Sequence, residues 1–236
     1  MVTIVDNLQA VRARIGRAAR ASGREPGDVV LVAVSKTFPV EYIAQAHAAG
    51  QKAFGENYAQ EAVEKITKLA HLPLVDPLLL PLEWHFIGPI QSNKTGTIAA
   101  HFSWVHSVER ERIAQRLNAA RPAELPPLDI LIQVNVSGEA SKSGLSPGEE
   151  IGLAQAVARM PRLKLRGLMA IPEPTSDTKL QRRRFALLRE LKDGLAARGH
   201  ALDTLSMGMS DDLEAAIAEG ATMVRVGTAI FGSRKK

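Results

Sequence analysis

Short runs rich in Val, Ile and Leu alternate along the chain with amphipathic stretches of helical length, and this alternation is the strongest signal in the sequence. Eight runs read as strands, at 29–36, 52–57, 84–88, 102–107, 128–135, 165–171, 204–209 and 223–230. Between them the apolar period lengthens to that of a helix at 40–49, 58–69, 109–120, 147–160, 179–197 and 211–219. The stretch 92–100 suits a shorter helix. Gly50 and Gly220 stand just past the last apolar turn of two of these segments, where a left-handed residue closes a helix cheaply. An extra helix precedes the first strand, with Leu8, Val11, Ile15 and Ala19 on one face.

Eight strand-helix units in 236 residues predict an α/β fold, a single TIM (β/α)8 barrel domain spanning 1–236 with an added N-terminal helix. Near-continuous apolar strands suit a parallel sheet buried on both faces. The alternative, a doubly wound open sheet, wants a glycine-rich phosphate turn after its first strand, and the sequence there is SKTFP. One segment departs from the rhythm: Pro73, Pro77 and Pro81 among leucines exclude a regular helix at 73–81. It reads as a loop packed under the barrel or as an apolar contact surface.

Composition narrows the function. With no Cys, thiolate metal sites, disulfides and cysteine nucleophiles are all excluded. No run of about 18 uncharged apolar residues provides a membrane span, and no apolar leader opens the chain, so the expectation is a cytoplasmic protein. The formal charge of +5 invites a nucleic-acid partner, but the basic residues gather at 12–24, 182–184 and the C-terminal tail with few aromatics between them. A solvated face explains them, and no nucleic-acid or membrane partner is expected.

Barrel chemistry collects where strands end. Lys36 closes the first run, VLVAVSK, either as a snorkelling end residue or as a partly desolvated amine able to form a Schiff base. Loops after the seventh and eighth strands often bind phosphate at helix N-termini. Here Ser210 reads as an N-cap, while Gly227 and Thr228 offer close backbone approach and a hydroxyl. Arg225 lies two residues before Gly227 on the same side of its strand. It can form a structural ion pair with Glu56 or Asp203, or donate to a ring nitrogen. A lysine, a phosphate cradle and an arginine at a ring nitrogen together describe a pyridoxal phosphate (PLP) site.

The segments VAVSKTFP, FGENYAQE, EWHFIGPIQSNK, QVNVSGEASKSG, GLMAI and SMGMSDDLEAAIAEGATMVRVGTAIFG closely resemble the pyridoxal phosphate homeostasis proteins, nearly end to end. Their barrel is similar to the N-terminal domain of alanine racemase. The resemblance implies that Lys36 forms the Schiff base with PLP, that Asn57 contacts the cofactor, and that Arg225 faces the pyridine nitrogen. It further implies that Ser210, Gly227 and Thr228 hold the phosphate. Lys142 fits the family pattern beside the cofactor mouth, and His85, Asn93 and Lys94 fall within the signature. His85 itself reads as a satisfied buried histidine. Phe38 departs from relatives with a second basic residue there, and the insertion at 73–81 is longer than usual.

Racemisation needs proton donors on both faces of the ring, and Lys36 serves one. The only tyrosines are Tyr42 and Tyr58, and the chain stops six residues after Ile230, leaving no second domain to supply another. The expected function is reversible PLP binding that buffers or delivers the cofactor without dedicated turnover, with PLP-dependent apo-enzymes as partners and a monomer or weak homodimer as the assembly. The alternatives are a weak amino-acid racemase using Tyr58 and a phosphate-binding barrel enzyme without PLP.

Overall fold

The computed structural model describes residues 3–70, 81–139 and 143–233. Lys142, the C-terminal basic tail and all of the 73–81 segment except Pro81 lie outside these residues. The first helix, α1 (Ile4–Ala21), is opened by a reciprocal cap in which Thr3 accepts from the Asp6 N–H and Asp6 accepts from the Thr3 N–H. Leu8, Val11, Ile15 and Ala19 are buried on its inner face, as the spacing predicts.

Eight strands follow: β1 (Val30–Val34), β2 (Ala53–Glu56), β3 (Glu83–Phe86), β4 (Trp104–Val108), β5 (Leu128–Gln133), β6 (Leu163–Met169), β7 (Thr204–Ser206) and β8 (Met223–Val226). Between them run α2 (Val40–Ala48), α3 (Ala59–Leu69), α4 (Thr95–His101), α5 (Glu111–Ala120), α6 (Glu150–Val157), α7 (Thr178–Ala196) and α8 (Leu213–Ala218), and α9 (Thr228–Phe231) follows β8. Each strand pairs in parallel with the next, and β8 returns to β1 with Val32 opposite Arg225. The sheet closes into a parallel eight-stranded barrel, which excludes the open-sheet alternative.

Two layers of apolar side chains hold it. Val32, Ala53, Trp104, Leu131, Met169 and Met223 form a separate buried cluster. A larger cluster contains both strand residues and helix residues such as Ile43, Phe185, Leu188 and Ile217. Each fully buried Leu, Ile or Phe contributes about 1.5–3 kcal/mol.

All the strands but β6 are shorter than their apolar runs, and β6 matches its run in length but starts two residues earlier. The eighth run, 223–230, divides at Gly227 into β8 and α9. The seventh ends at Ser206, where Gly208 (φ +94°) starts a turn. Gly208 serves two needs, because an added Cβ would also lie 2.6 Å from the Ala216 Cβ. Ser210 is not a helix cap. Asp212 accepts the Met209 N–H at 2.6 Å, folds 209–212 into a turn and itself stands at the N-cap position of α8, without a side-chain hydrogen bond to the helix.

Candidate functional site

A cavity of about 480 Å³ opens at the C-terminal mouth of the barrel. It is lined by all six residues singled out from the sequence: Lys36, Asn57, Ser210, Arg225, Gly227 and Thr228. Val34, Ile87, Ile171 and Met209 add apolar wall, and Phe38 stands at the rim.

Lys36 sits two residues past β1, held by its neighbours on either side. The Ser35 hydroxyl donates to Glu56 Oε1 at 2.7 Å. Thr37 has a left-handed backbone (φ +66°), a strained choice for a β-branched residue, and its N–H donates to Glu61 Oε1 at 2.5 Å. Lys65 ties the two carboxylates together, donating to Glu56 at 2.8 Å, to Glu61 at 2.6 Å and to the Ser35 carbonyl at 2.8 Å. Burial pushes the Glu56 carboxyl up, and Lys65 pulls it back. A buried charged cluster thus fixes the backbone on both sides of Lys36.

Asn57 follows β2. Its side-chain Oδ1 is buried with no hydrogen-bond partner among the described residues, so it offers an unused acceptor to the cavity. Gly88 allows this position: a Cβ there would fall 2.3 Å from the Asn57 carbonyl oxygen. Tyr58, next in sequence, is 56% exposed, and neither it nor Tyr42 lines the cavity.

Arg225 is buried at 3% exposure. Its partners are neither Glu56, whose Oε1 pairs with Lys65, nor Asp203, which pairs with Arg166. Instead Nη1 donates to Ser206 Oγ at 2.6 Å and Nη2 to the Ala170 carbonyl at 2.9 Å. Burial lowers its pKa to about 10, partly offset by Asp212, so the guanidinium stays charged near neutrality.

Beside Arg225 the chain turns through Gly227 into α9, whose first N–H groups have no partner within the helix. A Cβ on Gly227 would lie 3.1 Å from the Val34 carbonyl oxygen, so glycine lets β8 and β1 approach. Ser210 reaches the cavity from the turn before α8, and its carbonyl accepts from Arg14 Nη2 at 2.9 Å.

Arg14 also lines the cavity, which the sequence reading missed by treating the basic face of α1 as solvated. It forms a paired hydrogen bond with Glu214, and Asn7 ties α1 to the Ile230 carbonyl. Asn93 and Lys94 lie in the short 3-10 turn before α4 and do not line the cavity. Among the described residues no group of His, Asp or Glu could hold a metal ion, and no helix is long and apolar enough to cross a membrane.

The profile of the alanine racemase N-terminal domain matches residues 7–235. The pyridoxal phosphate homeostasis protein of Pseudomonas aeruginosa is 60% identical over 99% of this chain and 97% of its own length. That of Escherichia coli is 54% identical over 99% and 98%. Among solved structures, PipY of Synechococcus elongatus with PLP bound is 33% identical with a TM-score of 0.82, over 98% of this chain and all of its own. Alanine racemase of Corynebacterium glutamicum, 16% identical with a TM-score of 0.64, shares the fold over 62% of its length and 97% of this chain. The chain belongs to the alanine racemase N-terminal domain family and, within it, to the pyridoxal phosphate homeostasis proteins.

Proposed function

We propose that the protein binds PLP reversibly in the cavity at the barrel's C-terminal mouth, through a Schiff base on Lys36, and buffers or delivers it to PLP-dependent apo-enzymes in the cytoplasm. One observation carries this reading: an amine, an unpartnered amide oxygen, a buried guanidinium and a glycine-opened turn line the same cavity. That set of groups fits PLP, a flat aldehyde with a phosphate at one end and a ring nitrogen at another. The PLP-bound PipY structure supports the same reading.

When bound, PLP supplies an aldehyde and an electron-withdrawing ring. The chain's residues do the rest. Lys36 presents its amine from a backbone fixed on both sides by the Glu56–Lys65–Glu61 cluster. Val34, Ile87 and Ile171 offer the apolar wall against which a ring stacks. Arg225, charged and donor-only, directs an N–H at the ring nitrogen and keeps a proton off it. The turn through Gly227 and Thr228, with Ser210 opposite, offers N–H and hydroxyl groups to the phosphate. Neither tyrosine reaches the cavity to act as a second base, which favours holding over turnover.

Adding PLP to the protein should produce a Schiff-base absorbance band that is absent in Lys36→Ala. An unchanged spectrum in the variant would overturn the assignment.

A further inference from the structure

Arg225 does not end at Ser206. The Ser206 hydroxyl lies 2.9 Å from His106 Nδ1, and His106 Nε2 lies 2.9 Å from His85 Nδ1. Glu83 Oε1 stands 2.8 Å from His85 Nε2, off the line of the N–H axis. Five side chains from β8, β7, β4 and β3 therefore form one polar chain through the barrel interior. Ser206, His106 and His85 are 0% exposed, whereas the Glu83 side chain is 45% exposed. Glu83 lines a second cavity with Trp104, Arg166 and Met223, distinct from the one that holds Lys36.

With both rings neutral, donor and acceptor chemistry allows this chain one direction only. A guanidinium has only donors, so Ser206 Oγ must accept from Arg225. The single hydroxyl hydrogen then goes to His106 Nδ1, which must be bare. A neutral His106 carries its hydrogen on Nε2 and donates to His85, whose Nδ1 must be bare in turn. His85 therefore carries its hydrogen on Nε2, facing the Glu83 carboxylate. The reverse direction would leave the Ser206 hydroxyl hydrogen without an acceptor and set a bare His85 nitrogen against a carboxylate lone pair. A buried polar chain left partly satisfied is costly. Separately, burial above all, with the Arg225 charge adding to it, pushes the His106 imidazole well below its usual range, so it stays neutral. The Glu83 carboxyl is held below its usual value by His85, despite partial burial, with Trp104 and Arg166 adding to the effect.

We propose that Glu83 is a positioning residue for Arg225: it sets the tautomers of His85 and His106, and the chain so ordered holds Arg225 on Ser206 with its other N–H groups left for the cavity. Only this last link rests on the PLP reading; the tautomers do not depend on it.

The test uses the full ligand-free chain labelled with 15N-histidine and two-bond 1H–15N correlation spectra. His85 and His106 are expected as neutral rings protonated on Nε2. Glu83→Gln keeps an oxygen acceptor and should preserve both tautomers. Glu83→Lys brings a donor to the exposed end and should shift both rings to the Nδ1–H form. An Nδ1–H or doubly protonated ring in the unsubstituted protein, or a Glu83→Lys spectrum in which His106 is unmoved, would overturn the proposal. PLP titration then tests the last link. Glu83→Lys should weaken binding about tenfold, the loss of one hydrogen bond to a charged group, with rescue in Glu83→Gln. Flipped tautomers with unchanged PLP affinity would overturn the positioning role. Failure of the unsubstituted protein to take up PLP would instead remove the cofactor reading and leave the tautomer assignment intact.

Discussion

The two sides of the cavity are built from opposite materials. On the β1–β2 side, Lys36 and Asn57 rest on a cluster of full charges in which Lys65 joins Glu56 and Glu61. On the β7–β8 side, Arg225 hydrogen-bonds neutral groups, a carbonyl and a serine hydroxyl, the latter backed by a histidine that burial keeps uncharged. The difference follows from what each side must do. On the proposed reading an amine that captures an aldehyde needs a fixed backbone, and the charged cluster holds the residues on either side of Lys36. On the same reading a guanidinium that faces a ring nitrogen must keep its charge, and its neutral hydrogen-bond partners orient it without neutralising it.

The charged side should fail hardest when cut. Replacing Lys65 by Met leaves Glu56, at 0% exposure, without its cation, and breaking a buried pair costs about 3–5 kcal/mol. A fall of that size in urea-unfolding stability is expected. A loss under about 1 kcal/mol, the range of exposed pairs, would show that the cluster is not a buried support.

Gly88→Ala is expected to have the next largest effect. The added methyl would press on the Asn57 backbone, and overpacking of this kind costs about 1–3 kcal/mol. Both melting temperature and PLP affinity should drop, the affinity because Asn57 is displaced from the cavity wall. A stable variant with full affinity would mean that Asn57 is not needed where it stands.

The smallest effect is a pH dependence on the neutral side. The folded His106 has a pKa well below its usual 6.5, so unfolded chains bind a proton that folded chains refuse. Its contribution to stability is fully present above about pH 6.5 and is lost as pH falls below it. Melting temperature should therefore decline from pH 7.5 to 5.5 in the unsubstituted protein, and the decline should be shallower in His106→Gln. Equal slopes would place the pH sensitivity elsewhere.

Much of this architecture is written in the sequence. Eight apolar runs forecast eight strands because a parallel barrel buries both faces, and the spacing of Leu8, Val11, Ile15 and Ala19 gives the inner face of α1 directly. Strand ends were harder to read. The apolar residues of 223–230 continue from β8 into α9 without a change of composition, and only the Gly227 backbone separates them. Ser210 looked like a cap because Ser and Asp compete for that role, and the Asp212 carboxylate reached the Met209 N–H. All six candidate residues converge on one cavity because they end strands or turns at the same mouth. Arg14 was hidden among the basic residues of α1, since nothing in its own helix shows that α1 crosses that mouth. Ser206 and His106 were hidden within short strands, where period two sets them facing inward but their mutual contact spans 100 residues of sequence.

The central claim is that Lys36 carries the cofactor. Incubating the protein with PLP, reducing with borohydride and mapping the modified peptide by mass spectrometry tests it directly. A single pyridoxyl adduct on Lys36 is the predicted result, and an adduct on another lysine with Lys36 unmodified would contradict the account.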